Sequence, residues 1–152
     1  MAVLLLNTSS TGDYPGTATG WYGYGWNGFG FTANGLTHIT QIGYTVCLDS
    51  GSLMARNDSQ GFQSVSNANN TIIGSLMCGG ASGGPWLINF GLRPDLTSTT
   101  AGTAPDPNIV VGVTSWGFIS TSPKQQGASP FTSDNIVPLV NAACTAVPAA
   151  CS

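Results

Sequence analysis

Glutamate is absent from this 152-residue chain, and charge of either sign is scarce. Six aspartates stand against three basic residues, Arg56, Arg93 and Lys124, so charged residues make up 6% of the sequence. Ordinary soluble domains carry about a quarter. With so few cations the chain has little to offer a phosphate backbone, which argues against nucleic acid as a partner. Long apolar runs are missing too. Residues 2–6 (AVLLL) are too short to cross a membrane or to form a secretory signal core, and no basic residue precedes them. No membrane partner is expected. Amphipathic helical spacing is nearly absent, which excludes a helical bundle. No metal-ligand spacing or cofactor signature occurs, so neither metal nor cofactor is expected. A single histidine, His38, limits any imidazole chemistry to one position.

What the chain has is glycine, proline and small polar residues around an adequate apolar fraction. Hydrophobic residues make up 41%, which excludes disorder, and the length suits one domain spanning 1–152. Four cysteines, Cys47, Cys78, Cys144 and Cys151, are an even count in a Ser/Thr/Asn-rich chain. That combination points to disulfides, an oxidising compartment and a secreted protein. Three glycosylation sequons, at Asn7, Asn57 and Asn69, agree with secretion. Such a composition with no signal peptide implies that the natural N-terminus lies upstream of Met1.

Residues 2–6 read as a buried strand and residues 17–21 as another. Residues 21–31 (WYGYGWNGFGF) alternate aromatic and glycine. They read as a strand and tight loop covering a barrel, with an aromatic carbohydrate platform centred on Trp26 as the alternative. Residues 36–46 alternate as a strand with Ile39, Ile42 and Tyr44 facing a core. Residues 57–70 read as a polar loop. Residues 86–90 and 109–116 are the clearest strands, rich in β-branched and aromatic side chains. Residues 93–107 between them form a Thr/Pro/Asp-rich surface loop. Near the end, Asp134 caps a predicted helix over 135–144 that turns Ile136, Leu139, Val140 and Ala143 to one side. Pro138 fits only an early turn of it. The sum is an all-β domain with a short C-terminal helix.

The chemistry-bearing segment is Cys78-Gly79-Gly80-Ala81-Ser82-Gly83-Gly84-Pro85. Its Gly-x-Ser-x-Gly core satisfies the nucleophile elbow of α/β-hydrolases, but that elbow must open a helix after the serine. Here Gly83-Gly84-Pro85 and a strand follow, and no histidine comes after Ser82. The elbow reading is rejected. Together with Val111-Gly112-Val113-Thr114-Ser115-Trp116-Gly117, the segment resembles the C-terminal half of trypsin/chymotrypsin-like serine endopeptidases. Ala18-Thr19-Gly20-Trp21 is similar to the "TGWG" that begins the family's second barrel, and residues 134–140 to its closing helix.

The resemblance implies one Greek-key β-barrel, the second of a double barrel. Ser82 would be the nucleophile, and the amides of Gly80 and Ser82 would bind the oxyanion. Ser115, Trp116 and Gly117 would dock a peptide or protein substrate as an added strand. Leu76 and Met77 would line the side-chain pocket and imply an apolar preference. The family's histidine and aspartate precede its serine, from the other barrel. By alignment Met1 stands directly after that aspartate, so the chain would lack both residues and the N-terminal barrel that carries the histidine. A self-contained triad of His38, Asp49 or Asp58, and Ser82 has the right order. Its placement is wrong, because His38 would lie on a strand of the serine's own barrel. A Ser82–Lys124 dyad is chemically open, but Lys124 lies in a Ser/Pro/Gln loop and reads as solvated. The residue before the nucleophile is usually aspartate and here is Ala81, so activation by pairing with a freed N-terminus should be absent. The family's partner cysteine after Ser-Trp-Gly is missing from 118–123. Cys78 would then pair with Cys47, and Cys144 with Cys151, as one choice among three that the sequence leaves open. Two functions follow from the resemblance: half of a serine endopeptidase, inactive alone, or a non-catalytic pseudoprotease module that binds peptide.

Overall fold

The computed structural model describes residues 1–27, 36–67, 69–91, 106–119 and 122–151. Its strands are β1 (Gly23–Tyr24), β2 (Leu36–Gly43), β3 (Ala55–Gln63), β4 (Thr71–Gly74), β5 (Pro85–Ile88), β6 (Ile109–Gly117) and β7 (Gln125–Pro130). Two α-helices flank them, α1 (Pro15–Thr19) and α2 (Ile136–Ala146). Strand order is β1-β6-β5-β2-β3-β4-β7, and β7 pairs back onto β6. Strands β2 to β7 therefore close into a six-stranded barrel, with β1 added in parallel outside Ile109 and Val110. The neighbours β5-β2-β3-β4 have the Greek-key order, in which the fourth strand returns beside the first. The all-β barrel with a C-terminal helix is thus present.

The core sits inside the barrel. Ile39, Ile73, Trp86, Ile88, Val111 and Ala128 form its apolar cluster, with Trp86 fully enclosed. The expected strands over 36–46, 86–90 and 109–116 correspond to β2, β5 and β6, and Ile39 and Ile42 are buried as anticipated. Tyr44 is not: it lies beyond the end of β2 and is 54% exposed. Of the three possible pairings the structure has Cys47–Cys78 and Cys144–Cys151.

Several other expectations fail for identifiable reasons. The loop expected over 57–70 begins only after Gln63, because β3 runs through 55–63 and pairs with β2 from Ala55 to Phe62. The strand's exposed positions are Arg56, Asp58, Gln60 and Phe62 and the alternate ones Ala55, Asn57, Ser59, Gly61 and Gln63, so no apolar alternation announces it. Residues 17–21 are no strand: α1 and the Gly20 turn occupy them, with Pro15 in the first turn, where its missing N–H costs nothing. The TGWG-like segment consequently lies outside the barrel. Residues 2–6 form no strand, and Leu4 and Leu6 are 82% and 60% exposed, since no barrel strand pairs with them. Asp134 does not cap α2. The cap is Asn135, whose side chain instead accepts from the Thr132 N–H and donates to the Pro130 carbonyl. Pro138 falls in the first turn of α2. The aromatic–glycine run is described only as far as Asn27, and most of the 93–107 loop lies outside the described residues.

Candidate active site

Residues 75–84 join β4 to β5 and carry Ser82 at one end of the barrel. Gly80 has φ +93°, a region closed to most side chains, and a β-carbon there would meet the Tyr44 carbonyl oxygen at 2.5 Å. Gly84 is required for a different reason: a β-carbon on it would overlap the Ile42 carbonyl oxygen. Both glycines let the loop backbone lie directly against the end of β2. The Cys47–Cys78 disulfide and the Gly79 carbonyl, which accepts from the Val46 N–H at 2.9 Å, fasten it there.

Within this braced loop several polar groups lack a partner among the described residues, the Leu76 and Gly79 N–H groups among them, and three of the open groups lie at Gly80 and Ser82. The Ser82 hydroxyl has no hydrogen-bond partner among the described residues, and the side chain is exposed. The N–H groups of Gly80 and Ser82 have no acceptor among them either. Neighbouring amides are engaged: Ala81 N–H to the Cys78 carbonyl, Gly83 N–H to the Thr114 carbonyl, and Gly84 N–H to the Ala81 carbonyl. A shallow cleft of about 300 Å³ runs beside Ser82, walled by Ile42, Tyr44, Met54 and Pro85.

Strand β6 passes next to the loop. Its register with β7 slips between Thr114 and Trp116, a bulge that leaves Ser115 exposed. Thr114 donates its N–H to the Gly84 carbonyl and accepts from Gly83, so β6 and the loop are joined just before Ser115. Trp116 lies over Gly127 on the opposite strand, where a β-carbon would overlap the indole, and meets Phe118 edge-on at 5.4 Å. Its indole N–H is buried with no acceptor among the described residues. Gly117 is exposed at the end of the strand. A hollow of about 420 Å³ opens behind Gly83 and Ser115, bounded also by Met1, Phe131 and Ile136. Leu76 is 64% exposed and Met77 is buried, and neither lines the cleft beside Ser82.

The remaining candidates are not gathered at Ser82. His38 is exposed on β2, about 16 Å along the strand from Gly43, the residue that abuts Ala81. Asp58 lies opposite Thr40 on β3 and is held below the usual carboxylate range. The causes are its hydrogen bond from Arg56, then one from the Thr40 hydroxyl, with smaller help from the charges of Arg56 and His38. Asp49 is exposed in a 3-10 turn, and the Lys124 side chain is exposed. No catalytic triad is assembled among the described residues. Nor does any cluster of three metal-ligating side chains occur among them.

Sequence reasoning missed the buried polar residues behind the loop: Gln41, Ser75, Thr114 and Gln126. Their signal was faint but present. Gln41 stands two residues after the core residue Ile39, where an apolar side chain would complete the alternation.

No family model matches the sequence, and no curated protein matches it. A solved structure does, that of a thermostable serine protease from an extremophilic microorganism. The TM-score is 0.67 at 18% identity, over 93% of this chain and 56% of that one. This chain thus spans little more than half the length of the protein it matches. The likeness shows the fold, a trypsin-like β-barrel closed by six strands and followed by a short helix.

Proposed function

We propose that this barrel is the serine-bearing half of a trypsin-like endopeptidase. Ser82 is the nucleophile, and the Gly80 and Ser82 amides receive the negative charge that develops on the carbonyl oxygen. A peptide adds as a strand along Ser115, Trp116 and Gly117. The observation that carries this reading is the pair of amides on either side of Ala81 without acceptors among the described residues, next to a hydroxyl without a partner among them. Two open backbone donors on either side of Ala81, one of them the serine's own N–H, suit a developing oxyanion.

The base is not in this barrel. His38 stands too far along β2, Asp58 is held by Arg56 and Thr40, and Asp49 and Lys124 are exposed. A second barrel supplies the histidine and aspartate, and the hollow behind Gly83 and Ser115 gives their side chains room. Without them a serine hydroxyl is a weak nucleophile at neutral pH. The chain alone therefore binds peptide and does not cleave it. Two disulfides and the scarcity of charge support an extracellular setting.

Docking is tested by titrating extended apolar peptides into the isotope-labelled chain. Amide resonances of Ser115, Gly117, Gly80 and Ser82 should shift together. Shifts confined to other surfaces, or none, would contradict the reading. The exposed β6 edge with no base near Ser82 also suits a non-catalytic peptide-binding module. The two readings part when a separately expressed barrel carrying His and Asp is added: the first expects cleavage, the second does not.

A further inference from the structure

Ala81, directly before the serine, is fully buried and offers no polar group to hold the loop. The brace comes from inside the barrel. Gln41 is completely buried on β2, and all of its side-chain amide is used. Its Nε2 donates to the Thr114 hydroxyl at 2.9 Å and to the Gln126 side-chain oxygen. Its Oε1 accepts from the Ser75 hydroxyl at 2.7 Å. A primary amide has two N–H donors, and both are spent here.

Each partner then reaches the loop. Ser75 Oγ accepts from the Met77 N–H at 3.1 Å, and Gln126 Nε2 donates to the Met77 carbonyl at 3.0 Å. Thr114, whose hydroxyl also accepts from the Trp86 indole at 2.9 Å, holds Gly83 and Gly84 through its backbone. One side chain thus connects to both flanks of Ser82, upstream at Met77 and downstream at Gly83 and Gly84.

We propose that Gln41 is a positioning residue for the serine loop, setting the orientation of the Gly80 and Ser82 amides through Ser75, Gln126 and Thr114. This rests on the reading of that loop as an anion-binding catalytic segment. It extends that reading by placing the control of the loop in the barrel interior rather than beside the serine. Buried networks of this kind, when every member is satisfied, fix one arrangement, because each broken link leaves an uncompensated polar group.

The test is residue-resolved amide hydrogen exchange on the full chain, without substrate. Gln41→Met keeps the length of the side chain and removes all three bonds. Exchange at Met77 and Gly83 should rise about tenfold beyond any change shared by β3 and β4. Ser75→Ala is the milder companion: it cuts the Ser75 link upstream and leaves the Gln126–Met77 link and the downstream Thr114 link in place. It should loosen Met77 and leave Gly83 as in the parent, and it carries the test if Gln41→Met does not fold. Exchange that rises evenly over the whole barrel would mean a merely structural role and would overturn the proposal. Unchanged exchange at Met77 and Gly83 would overturn it as well. Because no substrate is present, this result is independent of peptide docking: docking at Ser115 and Gly117 can succeed while positioning fails, and the reverse.

Discussion

Residues 75–84 and residues 1–27 belong to one chain, and the barrel treats them oppositely. The first segment is mostly small and polar, yet more than half of its backbone N–H groups are tied down, and a disulfide and a buried amide network stand behind it. The second holds five aliphatic residues in a row and four exposed aromatics, yet contributes to the barrel only the two-residue β1. Trp21 is 82% exposed and Tyr24 and Trp26 stack on each other at 5.5 Å. Hydrophobicity therefore does not mark which segment is structurally settled. Pairing partners do: the loop finds them in β2, β6 and β7, and residues 2–6 find none in the barrel. A surface rich in exposed apolar groups is also what the proposed second barrel would cover.

The contrast can be broken most forcefully at Trp86. Trp86→Ala should lower stability by about 3–5 kcal/mol in urea unfolding, through lost burial and an abandoned Thr114 hydroxyl. Leu4→Ser should change it by less than about 0.5 kcal/mol. Similar losses at both sites would show that the N-terminal segment is packed after all. Next in size are the disulfides. Replacing Cys47 and Cys78 by serine should cost about 3.5 kcal/mol, against about 2.5 kcal/mol for Cys144 and Cys151. The difference follows from the sequence spans closed, 31 residues against 7. Equal melting temperatures for the two double variants would mean that the loop needs no staple.

The smallest effect concerns the outer wall of the barrel. Asp58 titrates below its ordinary value because Arg56 and Thr40 hydrogen-bond its charged form. A depressed carboxylate contributes stability above its unfolded pKa of about 3.9 and loses it as pH falls through the lower folded value. Asp58→Asn should therefore flatten the melting temperature between about pH 4 and pH 2 and leave the neutral-pH peptide-docking behaviour intact. Arg56 and Asp58 are substantially exposed, so the step should be slight and shrink with added salt.

The serine loop was legible because glycine and proline are local instructions. Gly80 at positive φ and Gly84 against the Ile42 carbonyl are needs that no other residue meets, so the sequence displays them directly. Strand β5 and the first part of β6 were legible for a related reason: they are buried or half-buried on both sides and read as apolar runs. β3 was not, since residues such as Asn57 and Gln60 gain strand conformation only from pairing with β2. Residues 2–6 misled in the other direction, because apolar character records what a segment can bury and not whether a neighbour is at hand. Gln41 was invisible as a hub, because its three partners lie 34, 73 and 85 residues away.

The most direct measurement is hydrolysis of peptide substrates by the purified chain at neutral pH, beside its Ser82→Ala variant. A barrel that holds a nucleophile and its amide donors but no base should leave both at the rate of buffer alone. Efficient turnover that disappears in Ser82→Ala would contradict this, and would mean that a base within the 152 residues reaches the serine.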